Sequence, residues 1–154
     1  MIIAVKRIPD RWMALGLAAH FVTRHDTFGR FPAGDLIRTL SSQIQRGHYL
    51  FALDTSTEPA RVVGYYGWAL YDDPTAERFA ATGAPPPPEL GTGGDVLWIL
   101  TAIADSRGAF FALMRDTRAL YPQHRVMAVR HKPSGRRVVL DQSRARVRAR
   151  KPAS

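Results

Sequence analysis

Residues 94–130, GDVLWILTAIADSRGAFFALMRDTRALYPQHRVMAVR, decide the fold, because the residue pattern changes character four times along them. Val96, Leu97, Trp98, Ile99 and Leu100 form an apolar run of the length of a buried strand. An Arg107-Gly108 turn follows. From there Phe110, Leu113, Met114 and Leu120 recur near helical spacing, Arg115 and Arg118 lie on other faces, and Pro122 closes the helix. Val126, Met127, Ala128 and Val129 then supply a second strand, giving the order strand, turn, helix, strand. The first N–H groups of such a helix have no partner within it, so Arg107, Gly108 and Ala109 are candidates for holding a phosphate. The same order fits an ordinary βαβ connection with a glycine in its turn.

Upstream, Asp10 can cap a helix from Arg11 to about Arg24, with Trp12, Leu15, Ala19 and Val22 on its apolar face and His20 beside that stripe. After a turn at 26–32, Leu36, Ile37, Leu40 and Ile44 mark a second helix that Gly47 can end. Residues 49–53 and 62–70 read as an antiparallel strand pair across a polar turn. Asp73-Pro74 opens a short helix. Pro85 to Pro88 and the glycines after them belong to a loop, since they continue neither a helix nor a central strand. Near the end, Pro133-Ser134-Gly135 is a turn between strands 126–130 and 137–140. The expected architecture is α+β: one domain over 1–141, a central, mostly antiparallel sheet with helices on its faces, and a basic tail over 142–154.

The chain has 154 residues, 45% of them hydrophobic, which suits one compact domain with a single core. No apolar run approaches the roughly 20 residues needed to cross a bilayer. Cysteine is absent, which excludes disulfides and thiol nucleophiles and fits an expected cytoplasmic location. The formal net charge is +9, and Arg144, Arg146, Arg148, Arg150 and Lys151 carry five of those charges, leaving +4 on the folded part. Such a surface suits an acidic partner. No paired Cys/His ligands, HExxH motif or dense acidic cluster is present, so no metal site is expected.

Several separated segments share one likeness. Gly94, Asp95, Trp98, Ile99, Leu100, Gly108, Ala109, Met114, Arg115, Tyr121, Pro122 and Arg130, with residues 45–50 (QRGHYL) and Gly67-Trp68-Ala69 upstream, keep the order and spacing of one family across roughly residues 30–140. In these positions the chain resembles the RTX toxin-activating lysine acyltransferases. The resemblance implies a GNAT-like fold and transfer of a fatty-acyl chain from acyl carrier protein to the ε-amino group of lysine in a protein substrate, with an RTX-type protein as a candidate. It also implies no tightly bound cofactor and a catalytic histidine and aspartate. Two positions depart from the family pattern. Phe28 stands at the histidine spacing before Phe31-Pro32, leaving His25 three residues displaced, and Thr101 stands where the aspartate is expected.

His25 is the candidate base, with Asp26 a possible orienting partner. Thr101 is a candidate by position and Asp105 by chemistry: four residues on, Asp105 falls on the same side of an extended strand but more than about 10 Å away. Arg107, Gly108, Ala109, Arg115 and Arg130 are candidates for the carrier's phosphate, and Trp68 and Trp98 for lining an acyl channel. His48, His124 and His131 flank strands and have no partner at a recognisable sequence spacing. Two other readings stay open: a family member with altered catalysis acting as an adaptor, and a basic nucleic-acid-binding protein, the less favoured of the two. A homodimer is possible.

Overall fold

The computed structural model describes residues 1–131, 134 and 136–142. Its elements run β1 (Ile3–Lys6), α1 (Arg11–Thr23), α2 (Asp26–Gly29), α3 (Ala33–Arg46), β2 (Tyr49–Asp54), β3 (Arg61–Tyr71), α4 (Asp73–Ala80), β4 (Val96–Ala104), α5 (Arg107–Leu120), β5 (Arg125–His131) and β6 (Arg137–Asp141). The six strands form one sheet in chain order. β1 pairs antiparallel with β2, β2 with β3, and β5 with β6, whereas β4 and β5 run parallel, Val96 opposite Arg125. The sheet is therefore mixed and mostly antiparallel, as the sequence implies. The chain clusters into two compact units, residues 1–68 with 101–122 and residues 69–100 with 123 onward.

In the first unit, α1 and α3 cover one sheet face. Asp10 accepts the Met13 N–H at 2.8 Å, an N-cap worth about 1 kcal/mol, and α3 ends on Gly47, whose φ of 69° favours glycine. Ala14, Ala18, Phe21 and Val22 of α1 pack with Leu36, Leu40 and Ile44 of α3 over Tyr49, Phe51 and Tyr65. Trp12 lies outside this core at 82% exposure, and His20 is exposed too, contrary to expectation. Because α1 is apolar on nearly every side, its periodicity does not select a face; the small alanines do, by letting α3 approach closely. β1 is an addition that the sequence pattern did not mark. It is a four-residue edge strand whose partner lies some fifty positions away, held at its start by Ile2 N–H donating to Asp54 Oδ1 at 3.2 Å.

Along β3 the side chains alternate. Tyr65 and Gly67 face α3, where a Cβ on Gly67 would lie 1.9 Å from Gln43 Oε1, so only glycine admits the Gln43 side chain. Gly64, Tyr66 and Trp68 face α5: a Cβ on Gly64 would lie 2.8 Å from Leu113 Cδ1, and Tyr66 meets Phe110 edge-on at 5.9 Å. α5 packs against β1 and β2.

The second unit has its own core of Ala69, Tyr71, Ala76, Val96, Trp98 and Met127, with Leu100, Val129 and Val139 against it. The helix expected at Asp73-Pro74 is present as α4, but Asp72 rather than Asp73 caps it, accepting the Thr75 N–H at 2.7 Å. The proline loop is anchored where the Tyr71 hydroxyl donates to the Pro86 and Pro87 carbonyls at 3.1 and 3.2 Å. Arg125 at the start of β5 bonds Asp141 of β6 with Nε and Nη2, and also meets Asp73 and Glu77 of α4. The expected turn at 133–135 and the basic tail fall mainly outside the described residues, which resume at Ser134 and end at Gln142.

Candidate active site

His25 follows the C-terminus of α1, where the last turn leaves carbonyls without full helical partners. Its Nδ1 lies 3.1 Å from the Phe21 carbonyl, four residues back, and the two rings tilt together at 4.9 Å. Its Nε2 lies 3.0 Å from Asp105 Oδ1. The partner that orients the ring is thus Asp105, eighty residues away in sequence, and not the adjacent Asp26, which opens α2.

Two backbone devices fix Asp105. Its N–H donates to the Val63 carbonyl at 2.8 Å, extending the β4 edge by one residue, and Ser106 immediately afterwards caps α5 by accepting the Ala109 N–H at 3.2 Å. The carboxylate is held between a strand end and a helix start. The side chains of His25 and Asp105 are 30% and 40% exposed, so the pair is open to a macromolecular substrate. Both ring nitrogens face acceptors. The doubly protonated ring makes both hydrogen bonds at once; the neutral ring with its proton on Nδ1 keeps the Phe21 bond and leaves a lone pair on Nε2.

Thr101 is elsewhere. It is buried, and its Oγ1 accepts a hydrogen bond from Gln43 Nε2 at 3.1 Å, while Gln43 Oε1 accepts one from the Tyr65 hydroxyl at 2.8 Å. Burial pushes the Tyr65 phenol well above its usual range, so it stays a donor and the chain Tyr65, Gln43, Thr101 is satisfied throughout. Thr101→Asp, which position alone recommends for restoring a carboxylate, therefore puts a charge against Gln43 with no cation to meet it. The expected result is a loss of about 3 kcal/mol of stability with no gain in transfer. Denaturant unfolding at several pH values checks this: the loss should shrink in acid, where the folded state takes up the proton that neutralises the buried group.

Phe28, at the family's histidine spacing, stacks on Phe31 at 5.4 Å. His25 lies three residues before Phe28 and Asp105 four residues after Thr101, the two positions at which the chain departs from the family pattern. The structure brings the two displaced residues together. Thus His25 and Asp105 share one site, and Thr101 belongs to the buried chain with Gln43 and Tyr65.

The Arg107-Gly108 pair opens α5. Both residues lie inside the first turn of α5, and the cap is Ser106, whose hydroxyl takes the Ala109 N–H. Arg107 and Gly108 are exposed and Ala109 is buried. Arg115 pairs with Asp116 at 2.9 Å on the exposed side of α5, and Arg130 is exposed on β5. Trp68 and Trp98 are fully buried, Trp68 in the first unit and Trp98 in the second. Among the described residues no group of three or more His, Asp or Glu is placed to hold a metal, and no helix is long and apolar enough to cross a membrane.

Among solved structures, the chain is similar to the loading GNATL domain of CurA from Lyngbya majuscula, with a TM-score of 0.57 at 16% identity over 87% of this chain and 69% of that one. An N-acetyltransferase from Staphylococcus aureus Mu50 aligns at a TM-score of 0.44 and 12% identity over 84% of this chain and 81% of that one. No curated protein matches by sequence. The first of these shows the fold to be GNAT-like. The model of the RTX toxin acyltransferase family, HlyC, matches residues 9–144, which include both members of the His25–Asp105 pair. A match over that much of the chain places this protein in the RTX toxin acyltransferase family.

Proposed function

We propose that this protein transfers a fatty-acyl chain from acyl carrier protein to lysine side chains of a protein substrate, an RTX-type protein being the first candidate, with His25 as base and Asp105 as its carboxylate partner. The observation that carries this reading is the exposed His25 Nε2 to Asp105 Oδ1 contact at 3.0 Å. A lysine ammonium entering the site meets the Asp105 carboxylate first, by charge. His25, with its proton on Nδ1 directed at the Phe21 carbonyl, accepts a proton from that ammonium on Nε2. The freed amine attacks the thioester carbon, the tetrahedral intermediate collapses with cleavage of the C–S bond as the imidazolium gives its proton to the departing thiolate, and the second proton on the attacking nitrogen passes to the vacated Nε2 and on to solvent, leaving a neutral amide. Asp105 faces the imidazolium formed in that sequence, so its stabilisation falls on the charged state rather than on the resting one.

Incubation with an acyl-loaded carrier protein and a lysine-bearing substrate, followed by intact mass, tests the reading directly. Mass must move from carrier to substrate lysine. Transfer at background from a folded protein would favour the adaptor reading.

Carrier binding is assigned to the start of α5, where the Arg107 and Gly108 N–H groups precede the first intrahelical bonds. A Cβ on Gly108 would meet nothing nearer than Ser106 Oγ at 4.0 Å, so the fold does not need a glycine here. Gly108→Val is expected to weaken carrier binding several-fold in titration calorimetry while shifting Tm by no more than about 2 °C. Unchanged binding would remove the carrier from this turn.

A further inference from the structure

Gly29 is exposed, yet the fold leaves no room for a side chain on it. A Cβ there would lie 2.7 Å from the Thr23 carbonyl oxygen and 3.7 Å from the carbonyl carbon. The obstacle is backbone, which does not swing aside as the end of a side chain does. Thr23 is also tied back onto α1, where its hydroxyl donates to the Ala19 carbonyl at 2.6 Å. Conformational freedom is not the reason for this glycine, because the glycines with positive φ among the described residues are Gly47, Gly83, Gly93 and Gly94. What Gly29 supplies is close approach between the last residue of α1 and the last residue of α2.

His25 lies inside that corner. Its backbone is extended, with φ −103° and ψ 136°, and it is bonded in both directions. Its N–H donates to the Val22 carbonyl of α1 at 3.2 Å, and its own carbonyl accepts the Phe28 and Gly29 N–H groups of α2 at 3.1 and 2.8 Å. Both helices are anchored: Phe21 and Val22 belong to the buried core, and Phe28 packs against it. Asp105 is fixed separately, by its bond to Val63 and by the Ser106 cap that follows it. The 3.0 Å contact between His25 Nε2 and Asp105 is therefore set by how tightly the α1–α2 corner closes.

We propose that Gly29 is a positioning residue that holds the His25 ring against Asp105 by letting α2 fold back onto the Thr23 carbonyl. The proposal rests on His25 being the base of the transfer reaction. A methyl group at position 29 reaches an ordinary contact with Thr23 only if the corner opens by more than about 0.5 Å, the tolerance within which a catalytic arrangement has to be held. Gly→Ala at a compatible backbone ordinarily stabilises by restricting the unfolded chain, but that gain is smaller than the cost of forcing a carbon against a fixed oxygen. The contact wins, and the His25 peptide, bonded to both helices, moves with the corner.

Gly29→Ala tests this with two readouts. The first is ¹H–¹⁵N NMR of the neutral His25 ring in the protein alone, assigned by its absence from His25→Ala. The ring nitrogens should leave the wild-type state, with the proton on Nδ1 facing the Phe21 carbonyl, for a mixture of tautomers. Gly16→Ala on α1 and Gly34→Ala on α3, where an added Cβ meets nothing within 4 Å, should leave the ring signals unchanged. The second is transfer: kcat should fall by about 10–100-fold with KM for the carrier unchanged, the cost of a misplaced catalytic group. Gly29→Ala combined with Asp105→Asn should be scarcely slower than Asp105→Asn alone, because both remove the same contact. A wild-type ring spectrum in Gly29→Ala, additive losses in the double variant, or a variant that does not fold would each overturn the positioning role. An altered ring in Gly29→Ala, with the wild-type protein itself transferring at background, would leave the hold of Gly29 on His25 standing and remove the acyl-transfer reading instead.

Discussion

Replacing His25 by alanine is expected to lower single-turnover acyl transfer by about 10²–10⁴-fold, the range for loss of a positioned general base. The ring is held at two points, 3.1 Å from the Phe21 carbonyl and 3.0 Å from Asp105, and it is not one of the residues of the buried core cluster, so truncation removes the base at a modest cost in packing against Phe21. Asp105→Asn keeps the shape and removes the charge, and should cost roughly 10–100-fold, as for a hydrogen bond to an ionised group. Because the two act as a unit, the double variant should be scarcely slower than His25→Ala alone. A Tm close to wild type in both variants separates lost chemistry from lost fold. Strong transfer insensitive to His25→Ala would place the base elsewhere, with exposed His20 on α1 the next residue to test.

A loss of stability as large as that at Thr101 is expected at Arg125. Its guanidinium is 18% exposed and joins the start of β5 to the end of β6 through Asp141, whose side chain is 6% exposed, and to α4 through Asp73 and Glu77. The two α4 carboxylates are 65% and 49% exposed, so solvent screens them and they contribute little. Asp141 is different, because Arg125→Met leaves its carboxylate in place without the guanidinium that offsets its burial. A loss of about 3 kcal/mol is expected, measured by denaturant unfolding, with the second unit affected first in hydrogen exchange. Arg125→Lys should recover only part of it, since an ammonium cannot reproduce contacts made through both Nε and Nη2. A variant as stable as wild type would show that the ion pairs and their desolvation cancel.

Acyltransferase family and fold were legible in the sequence because they are carried by local pattern. The apolar run at 96–100, the helical spacing after Gly108 and the run at 126–129 each record which side of an element is buried, and burial is repeated residue by residue. Gly47 at a helix end and Asp10 at a helix start announce themselves for the same reason, as each answers a backbone need within a few residues. The site was legible only in its parts. His25 and Asp105 could be named as a base and a carboxylate, but their meeting depends on where the end of α1 and the end of β4 stand in space, and the chain between them, which separates them by eighty positions, carries no spacing that encodes it. Strand parity placed Asp105 on the same side as Thr101, but extended-chain distance argued against a shared role, because the strand's length says nothing about where the histidine lies. Thr101 shows the converse: its position matched the family pattern, and tertiary packing gave it to Gln43. The exposed Trp12 belongs with these cases, since on a helix apolar all round the choice of face is made by the neighbour that packs closest, here α3 against Ala14 and Ala18. Sequence determined what each segment is and which chemistry it can offer; tertiary structure decided which distant groups touch, because contact between elements depends on their packing and not on any periodicity within them.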